Sequence, residues 1–476
     1  GYDIDIRGVA SINGGTPLIL VDGVESSLSR INANDIESVS ILKDASASAI
    51  YGAKASSGVV LLTTKSGLNS GKAKITYAGR FGVGKNTVST DFITTGYWSA
   101  KINDMFLKPY LGYGYTSYTD EDYEQLYARI NDKTENPDRP WVIQQEDGSY
   151  KYYANFDWYN YMYRQNSPQQ EHNIAIQGGN QKIDYYVSGR YYSQDGIIKI
   201  KHDTYDNYAF RAKIKAEIRP WLHFSTNNSF YSSKRFFPGT SSVPNLIKKS
   251  YVHALACVVP TNPDGSIVYI NPNSNTTATV MDGFSAILIN DKHRNTNYDR
   301  EFVTNNRFDI DVLKGLVLTG EYSYSFRNRE YNNRSSNVPY SQYAGVTEVL
   351  TTSNFSNFYQ EQHYRVQNHN VNLYATYKNT FGNVHNLQVT AGTQYETYQS
   401  RSLKVKRLGV LSDNLDDFNL ATGEVATLTG GVSEYATLGY FGRVNYDFSS
   451  KYLIELSGRF DGSSRFKANN RWGFFP

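Results

Sequence analysis

The sequence predicts an all-β, antiparallel transmembrane β-barrel, present in part, preceded by a small α+β domain at the N-terminus. Three observations support this prediction. Apolar and polar residues alternate with a period of two through much of the chain after residue 71. The links between these segments are alternately long and short. The sequence contains no uninterrupted apolar run of the ~18 residues that a membrane-spanning helix needs.

The N-terminal residues predict a compact α+β unit. Short apolar runs alternate with Gly, Asn and Asp, a pattern typical of small strands, and they lie at residues 18–21, 39–42 and 59–62. Asp44 stands where a helix N-cap belongs and Gly52 where a helix ends, which predicts a short helix at residues 45–51. A unit of roughly 60 residues is marginally stable alone, so we expect it to pack against a surrounding wall.

A dense and ordered set of short motifs runs through the same unit. The motifs include Ile6-Arg7-Gly8, Val21-Asp22-Gly23-Val24, Leu42-Lys43-Asp44-Ala45, Ala49-Ile50-Tyr51-Gly52 and Gly58-Val59-Val60. Together they resemble the plug of SusC/RagA-type TonB-dependent outer-membrane transporters. The resemblance identifies Arg7, Asp22, Gly23, Lys43, Asp44, Tyr51, Gly52 and Lys54 as plug-motif residues. The family usually has Arg where this chain has Lys54, and Lys lacks the planar, bidentate guanidinium, so a salt bridge of that Arg is not carried over.

Composition limits the classes of partner. A formal net charge of +3 does not indicate a nucleic-acid partner. The 41 tyrosines suit surfaces that are apolar on one side and wet at the tip, such as aromatic girdles and sugar-contacting loops. Cys257 is the single cysteine, which excludes an intramolecular disulfide.

The alternation predicts strands with one lipid-compatible face. In residues 206–218 the even positions are mostly apolar, namely Tyr208, Phe210, Ala212, Ile214, Ala216 and Ile218. The odd positions include Arg211, Lys213 and Glu217. The same division recurs at residues 307–312, 370–378 and 452–461. A soluble β-sandwich also gives such alternation, so this pattern alone leaves both architectures open.

The links favour the barrel. About eleven strands are predicted, beginning near residues 72, 171, 183, 205, 221, 302, 316, 364, 385, 436 and 452. Every second link of an antiparallel meander falls on the same side, so the long loops are expected at one rim and the tight turns at the other. Outer-membrane barrels show this asymmetry, whereas a sandwich has no reason to do so.

The chain is expected to be a fragment. An odd number of strands leaves an exposed edge, and plugged transporters of this class have about 22 strands. We therefore predict the C-terminal part of a plug domain at residues 1–70 and the N-terminal half of an outer-membrane barrel, with long extracellular loops, at residues 71–476. A signal peptide, a TonB box and the first part of the plug are expected to precede it.

Other motifs favour structural interpretations. Residues 79–85 spell most of a phosphate-binding loop, but Asn86 replaces the metal-binding hydroxyl, and the segment alternates like a first barrel strand. Asp413, Asp416 and Asp417 could supply oxygen ligands for calcium, but turn chemistry in a solvated loop explains them as well. The histidines show no metal-ligand spacing. No metal, cofactor or catalytic arrangement is predicted, and the protein is not expected to be an enzyme.

Aromatic residues crowd the long link at residues 85–170. We predict that Trp98, Tyr113, Tyr115, Trp141 and Trp158 contact a ligand, because aromatic faces stack on the C–H faces of sugar rings. The alternative is that they pack the loop against itself or against a partner protein.

The resemblance implies active import across the outer membrane of a Gram-negative bacterium. It implies substrate binding under a SusD-like surface lipoprotein, and a pull on the plug by the TonB–ExbB–ExbD complex. The expected ligand is an oligosaccharide, with an oligopeptide as the alternative. Two other functions stay open, namely a surface receptor or adhesin without energy-coupled transport, and a soluble glycan-binding protein or enzyme.

Overall fold

The computed structural model describes residues 16–42, 57–68, 71–89, 91–239, 253–271, 273–275, 279–350 and 356–475. Within these ranges the chain forms twenty strands and four α-helices. Strands β1 to β7 are Leu18–Val21, Val24–Glu25, Ile36–Leu42, Val59–Thr64, Lys74–Lys85, Val142–Gln144 and Tyr150–Tyr152. Strands β8 to β13 are Asn166–Gly179, Ile183–Asp195, Thr204–Arg219, Leu222–Phe237, Arg294–Leu313 and Leu316–Ser335. Strands β14 to β20 are Val338–Tyr343, Val346–Leu350, Phe358–Phe381, His385–Leu408, Val425–Phe448, Tyr452–Ser463 and Trp472–Phe475. Helices α1 to α4 are Gly96–Leu111, Asp120–Ala128, Trp158–Met162 and Phe284–Asn290.

Strands β1 to β4 form a small sheet, called here the plug sheet, in the order β2-β1-β4-β3. Strands β1 and β4 are parallel, with Leu18 opposite Val59, and the other neighbours are antiparallel. One face buries Leu20 and Val59, and the other buries Val21, Val60 and Leu62. The predicted apolar runs therefore form strands. The predicted helix at residues 45–51 lies outside the described residues.

A second sheet of twelve strands, called here the wall, has the order β20-β19-β18-β17-β16-β13-β12-β11-β10-β9-β8-β5. All of its neighbouring strands are antiparallel, as expected of a meander. The wall has twelve described strands, close to the predicted number of about eleven. The additional strand is β20, whose pairing with β19 covers only four positions and is too short to show an alternation in sequence.

The apolar side of the wall faces away from the plug sheet. In β10, Tyr208 and Phe210 are 52% and 47% exposed, whereas Arg211 and Lys213 on the opposite side are 7% and 9% exposed. The register aligns Phe210, Phe230, Phe302 and Phe326 across four neighbouring strands as an outward aromatic row. Such a row is typical of the girdle where a membrane barrel meets the lipid headgroups.

Four polar side chains interrupt the outward apolar surface next to this row. Asn228 donates to Thr226 at 2.9 Å, Thr226 donates to Asn306 at 2.9 Å, and Asn306 donates to Thr304 at 3.0 Å. The four groups therefore satisfy one another, which lowers the cost of facing hydrocarbon.

Several wall strands begin earlier than the sequence predicted. Strand β12 begins at Arg294 instead of near residue 302, β16 at Phe358 instead of near 364, and β18 at Val425 instead of near 436. These extensions lie at the long-loop rim, where both faces meet polar surroundings. The backbone ladder continues there without an apolar row in the sequence.

The long links at this rim are folded. The segment between β5 and β8 contains α1, α2, α3 and the hairpin β6–β7, and it packs with described residues between 254 and 288 around one hydrophobic core. These segments together are called here the loop layer. The links at the opposite rim are tight turns, as expected. Among the described helices, none has both the length and the apolarity needed to span a membrane.

Candidate functional site

The turn between β1 and β2 points from the plug sheet to the wall. Its two central residues, Asp22 and Gly23, have φ values of 47° and 88°, and Val21 pairs with Val24 across the turn. Positive φ at both central residues characterises a type I′ hairpin, for which Asp-Gly is a preferred pair. The local sequence therefore presents the Asp22 carboxylate at the tip of a rigid turn.

The wall receives this carboxylate with groups from two strands. Asn227 of β11 donates to Oδ2 of Asp22 at 2.6 Å, and Lys213 Nζ of β10 lies 3.3 Å from Oδ1. Inside the plug sheet, the Thr64 backbone amide donates to Oδ1 at 3.1 Å. Lys213 Nζ also donates to the Thr64 carbonyl at 3.0 Å, so a single ammonium group binds both the β1–β2 turn and β4 to the wall.

Two further charged contacts lie along the same side of the wall. Tyr186 of β9 donates to Asp35 at 2.9 Å, and Arg211 of β10 lies 3.4 Å from the same carboxylate. Arg30 forms an ion pair with Glu301 of β12, and both side chains are largely buried. The links between the strands of the plug sheet thus meet β9, β10, β11 and β12 through three charge-compensated contacts.

These contacts permit separation as well as docking. A hydrogen bond inside a protein replaces one with water, so its net contribution is only about 0.5–1.5 kcal/mol, or about 1.5–3 kcal/mol when one group is charged. The separated groups can be hydrated in a polar lumen, whereas a buried apolar interface of the same size would have no such compensation. The interface is therefore specific and at the same time compatible with reversible movement of the plug.

A cavity of about 570 Å³ lies beside the turn, between the plug sheet and the strands β12 to β19. Charged groups of both signs line it, among them Glu25, Arg307, Glu321, Arg443 and Arg459. Arg307 forms a bidentate contact with Asp309 at 2.8 Å for each bond. The inner face of the wall is therefore polar where the plug sheet leaves it uncovered.

Comparisons with known proteins agree with this arrangement. Residues 1–59 match the family model described as TonB-dependent Receptor Plug Domain. The chain is 27% identical to TonB-dependent receptor P26 of Formosa agariphila, over 99% of the chain and 43% of the relative. It is 25% identical to TonB-dependent receptor SusC of Bacteroides thetaiotaomicron, over 100% of the chain and 44% of the relative. The chain thus spans less than half the length of these curated relatives.

The fold comparison gives the same result. The structure described as the RagAB peptide transporter superposes with a TM-score of 0.75 at 24% identity, over 99% of this chain and 52% of that one. This chain is similar in sequence and in fold to the SusC/RagA-type TonB-dependent receptors. The similarity places it in a β-barrel with a plug, in the outer membrane of a Gram-negative bacterium. The relatives are receptors and transporters rather than enzymes.

The predicted ligand-contacting aromatics do not share one cavity. Trp98 and Tyr113 are 49% and 46% exposed, on α1 and just after it. Tyr115 and Trp141 are half-buried against the core of the loop layer. Trp158 is buried, donates to the Leu255 carbonyl at 3.1 Å and lines a separate cavity of about 380 Å³. Ligand contact by these five side chains stays a prediction.

Of the predicted plug-motif residues, the structure describes Asp22 and Gly23, and it places both at the contact with the wall. Arg7, Lys43, Asp44, Tyr51, Gly52 and Lys54 lie outside the described residues. Sequence reasoning missed Asp35, Arg30 and their partners in the wall. The sequence does show that charged residues occupy every second position of β10 from residue 211 to residue 217, and this alternation is the signal that assigns Arg211 and Lys213 to the inner face.

The acidic loop cluster has a structural explanation. Arg294 binds Asp416 through two hydrogen bonds of 2.9 and 2.7 Å, and the buried Arg334 contacts Asp413 at 3.2 Å. Asp417 caps a short turn by accepting from the Asn419 amide at 2.8 Å. Within the described ranges, no group of three or more His, Cys, Asp or Glu side chains is arranged to hold a metal ion.

Proposed function

We propose that the protein to which this chain belongs imports an oligosaccharide across the outer membrane. Energy would come from the TonB–ExbB–ExbD complex acting on the plug, and a SusD-like surface lipoprotein would close the extracellular mouth. An oligopeptide is the second ligand class, and it is the cargo named for the RagAB transporter that shares this fold.

The observation that carries the proposal is the polar contact between the plug sheet and the wall. Import through a barrel of about 22 strands requires a plug that closes the lumen at rest and moves when it is pulled. Asp22, Asp35 and Arg30 each find an oppositely charged partner in the wall, and water can replace each partner. A permanent stopper would be expected to bury apolar side chains against the wall instead.

The loop layer suits a ligand that has both apolar and polar faces. Trp98, Tyr113 and Tyr127 expose aromatic surface on and beside α1 and α2. Aromatic rings of this kind stack on sugar rings and also contact peptide side chains, so this feature supports both ligand classes.

The test uses the full-length protein in its own outer membrane. Uptake of labelled oligosaccharides and, separately, labelled oligopeptides is measured in cells with and without TonB, alongside cells that lack the transporter. Accumulation of one class that requires both TonB and the transporter supports import and identifies the ligand class. Surface binding without TonB-dependent accumulation would instead indicate a receptor or adhesin.

A further inference from the structure

The outward face of the wall carries an unusual pair of arginines near the long-loop rim. Arg365 of β16 and Arg401 of β17 are directly opposite each other in the antiparallel register, and both are exposed. Directly opposite side chains in a sheet have Cβ atoms only about 4.5–5.5 Å apart, and like charges at this distance destabilise the sheet. An anion that lies between the two guanidinium groups would relieve this repulsion.

The described residues do not provide that anion. No carboxylate in the described ranges forms an ion pair with Arg365 or Arg401. Glu330 on the same face already pairs with Arg300 at 3.5 Å, and Glu434 already accepts a hydrogen bond from Gln399. The two positive charges thus face outward without a compensating charge from this part of the chain.

The register places the pair just above the lipid-facing band. Arg300, Asn328, Arg365 and Arg401 form one row across β12, β13, β16 and β17. The next outward row toward the membrane holds Phe302 and Phe326 on β12 and β13, and Gln367 and Gln399 on β16 and β17. On β16 the outward apolar side chains begin at Val371 and end at Phe381, ten residues later, a stretch that at ~3.3 Å per residue and a tilt of about 40° spans ~25 Å, the height of the apolar band of an outer-membrane barrel. Arg365 lies three outward positions beyond Val371, on the side of the long-loop rim.

A groove of about 750 Å³ surrounds the pair on this outward face. Its lining includes Arg365, Arg401 and His363, and the exposed apolar side chains Leu403 and Val432. Gly430 faces Leu403 across the ladder, and the missing side chain there opens the groove next to the arginines. Cationic groups beside apolar ones suit an amphiphile rather than a free ion.

We propose that this groove, called here the arginine groove, binds the phosphate of a glycolipid in the outer leaflet. Arginine presents a planar fork of donors that matches phosphate oxygens in a bidentate manner, and two arginines from adjacent strands can share one phosphate. Val432 lies in the same row as the arginines and Leu403 one row farther from the membrane, so both contact the sugar headgroup of the lipid rather than its acyl chains. The bound phosphate relieves the repulsion between the arginines and fixes the wall in the leaflet that faces the outside.

The test compares lipid binding to the full-length protein in phosphatidylcholine nanodiscs, measured by native mass spectrometry. The probes are bisphosphorylated lipid A and the same lipid with its phosphates removed. We expect R365Q/R401Q to weaken binding of the phosphorylated probe at least tenfold and R365K/R401K to weaken it less. The control R219Q removes an exposed arginine at the opposite rim and is expected to change binding less than twofold. Heat-modifiable gel mobility checks that every variant is folded.

Four results would overturn the proposal. One is equal binding of the two lipid probes, and another is unchanged binding in the folded R365Q/R401Q variant. The third is full competition by inorganic phosphate at the concentration of the lipid, which would indicate a site for free anions. A change in oligomeric state of R365Q/R401Q with unchanged lipid binding would also contradict it, because it would assign the groove to a protein partner.

Discussion

Replacing Lys213 with methionine tests the contact between the plug sheet and the wall. The side chains of Lys213 and Asp22 are only 11% and 13% exposed, and the ammonium group serves both Asp22 and the Thr64 carbonyl. Loss of two charge-assisted contacts, offset by hydration of the lumen, is expected to cost about 3 kcal/mol of docking free energy. That cost corresponds to a roughly hundredfold larger population of the undocked plug.

Hydrogen exchange measures this population in the full-length protein. Amides of β1 and β4 are expected to exchange about a hundredfold faster in K213M, because undocking exposes them. The matched control is K215M, which changes an exposed lysine on the same face of β10. A double-mutant cycle with D22N is expected to show coupling, with the double variant less destabilised than the sum of the single ones. Unchanged exchange in K213M, or strictly additive effects, would refute the assigned contact.

Three further predictions concern the turn, the rim and the loop layer. At φ 88° a β-branched residue is strained, so Gly23→Val is expected to destabilise the plug by about 1–3 kcal/mol and Gly23→Asn by less, measured by hydrogen exchange. Burial lowers the pKa of His293 to about 4, with Arg334 contributing, so its neutral form is favoured in the folded state. The unfolded state then binds more protons, and stability that is present above about pH 6.5 is expected to fall by roughly 3 kcal/mol as the pH approaches 4. His293→Phe should flatten this part of the unfolding-versus-pH curve. Changing the buried Trp158 to alanine is expected to lower the stability of the loop layer by about 3–5 kcal/mol, which is measured as faster proteolysis of that layer. Changing the exposed Trp98 to alanine should alter the rate of proteolysis little.

The sequence predicts the orientation of wall strands well where one face meets lipid. In β10 the even positions were assigned to lipid and the odd positions to the interior, and the exposure of Phe210 and the burial of Lys213 confirm this assignment. The physical reason is that a period of two is enforced wherever the two faces of a strand meet different solvents. Beyond the membrane both faces of a strand meet water, so the sequence does not predict the first part of β18, residues 425–435.

The site was less accessible to sequence reasoning. The Asp22-Gly23 turn has a local signature, but its partners Lys213 and Asn227 lie 191 and 205 residues away along the chain. No periodicity connects residues so far apart, because their contact depends on the register of the whole wall. The loop aromatics show a related difficulty, since a tryptophan that packs a loop core and one that faces a ligand look the same in sequence.

The central claim is that the wall turns its apolar row to lipid and its polar row to a lumen that holds the plug. Nitroxide labels at the neighbouring positions Phe308 and Arg307 of β12, in the full-length protein in lipid bilayers, test it most directly. The label at position 308 is expected to collide readily with oxygen and rarely with a water-soluble nickel chelate, and the label at position 307 is expected to be shielded from oxygen. The reverse pattern would contradict the account.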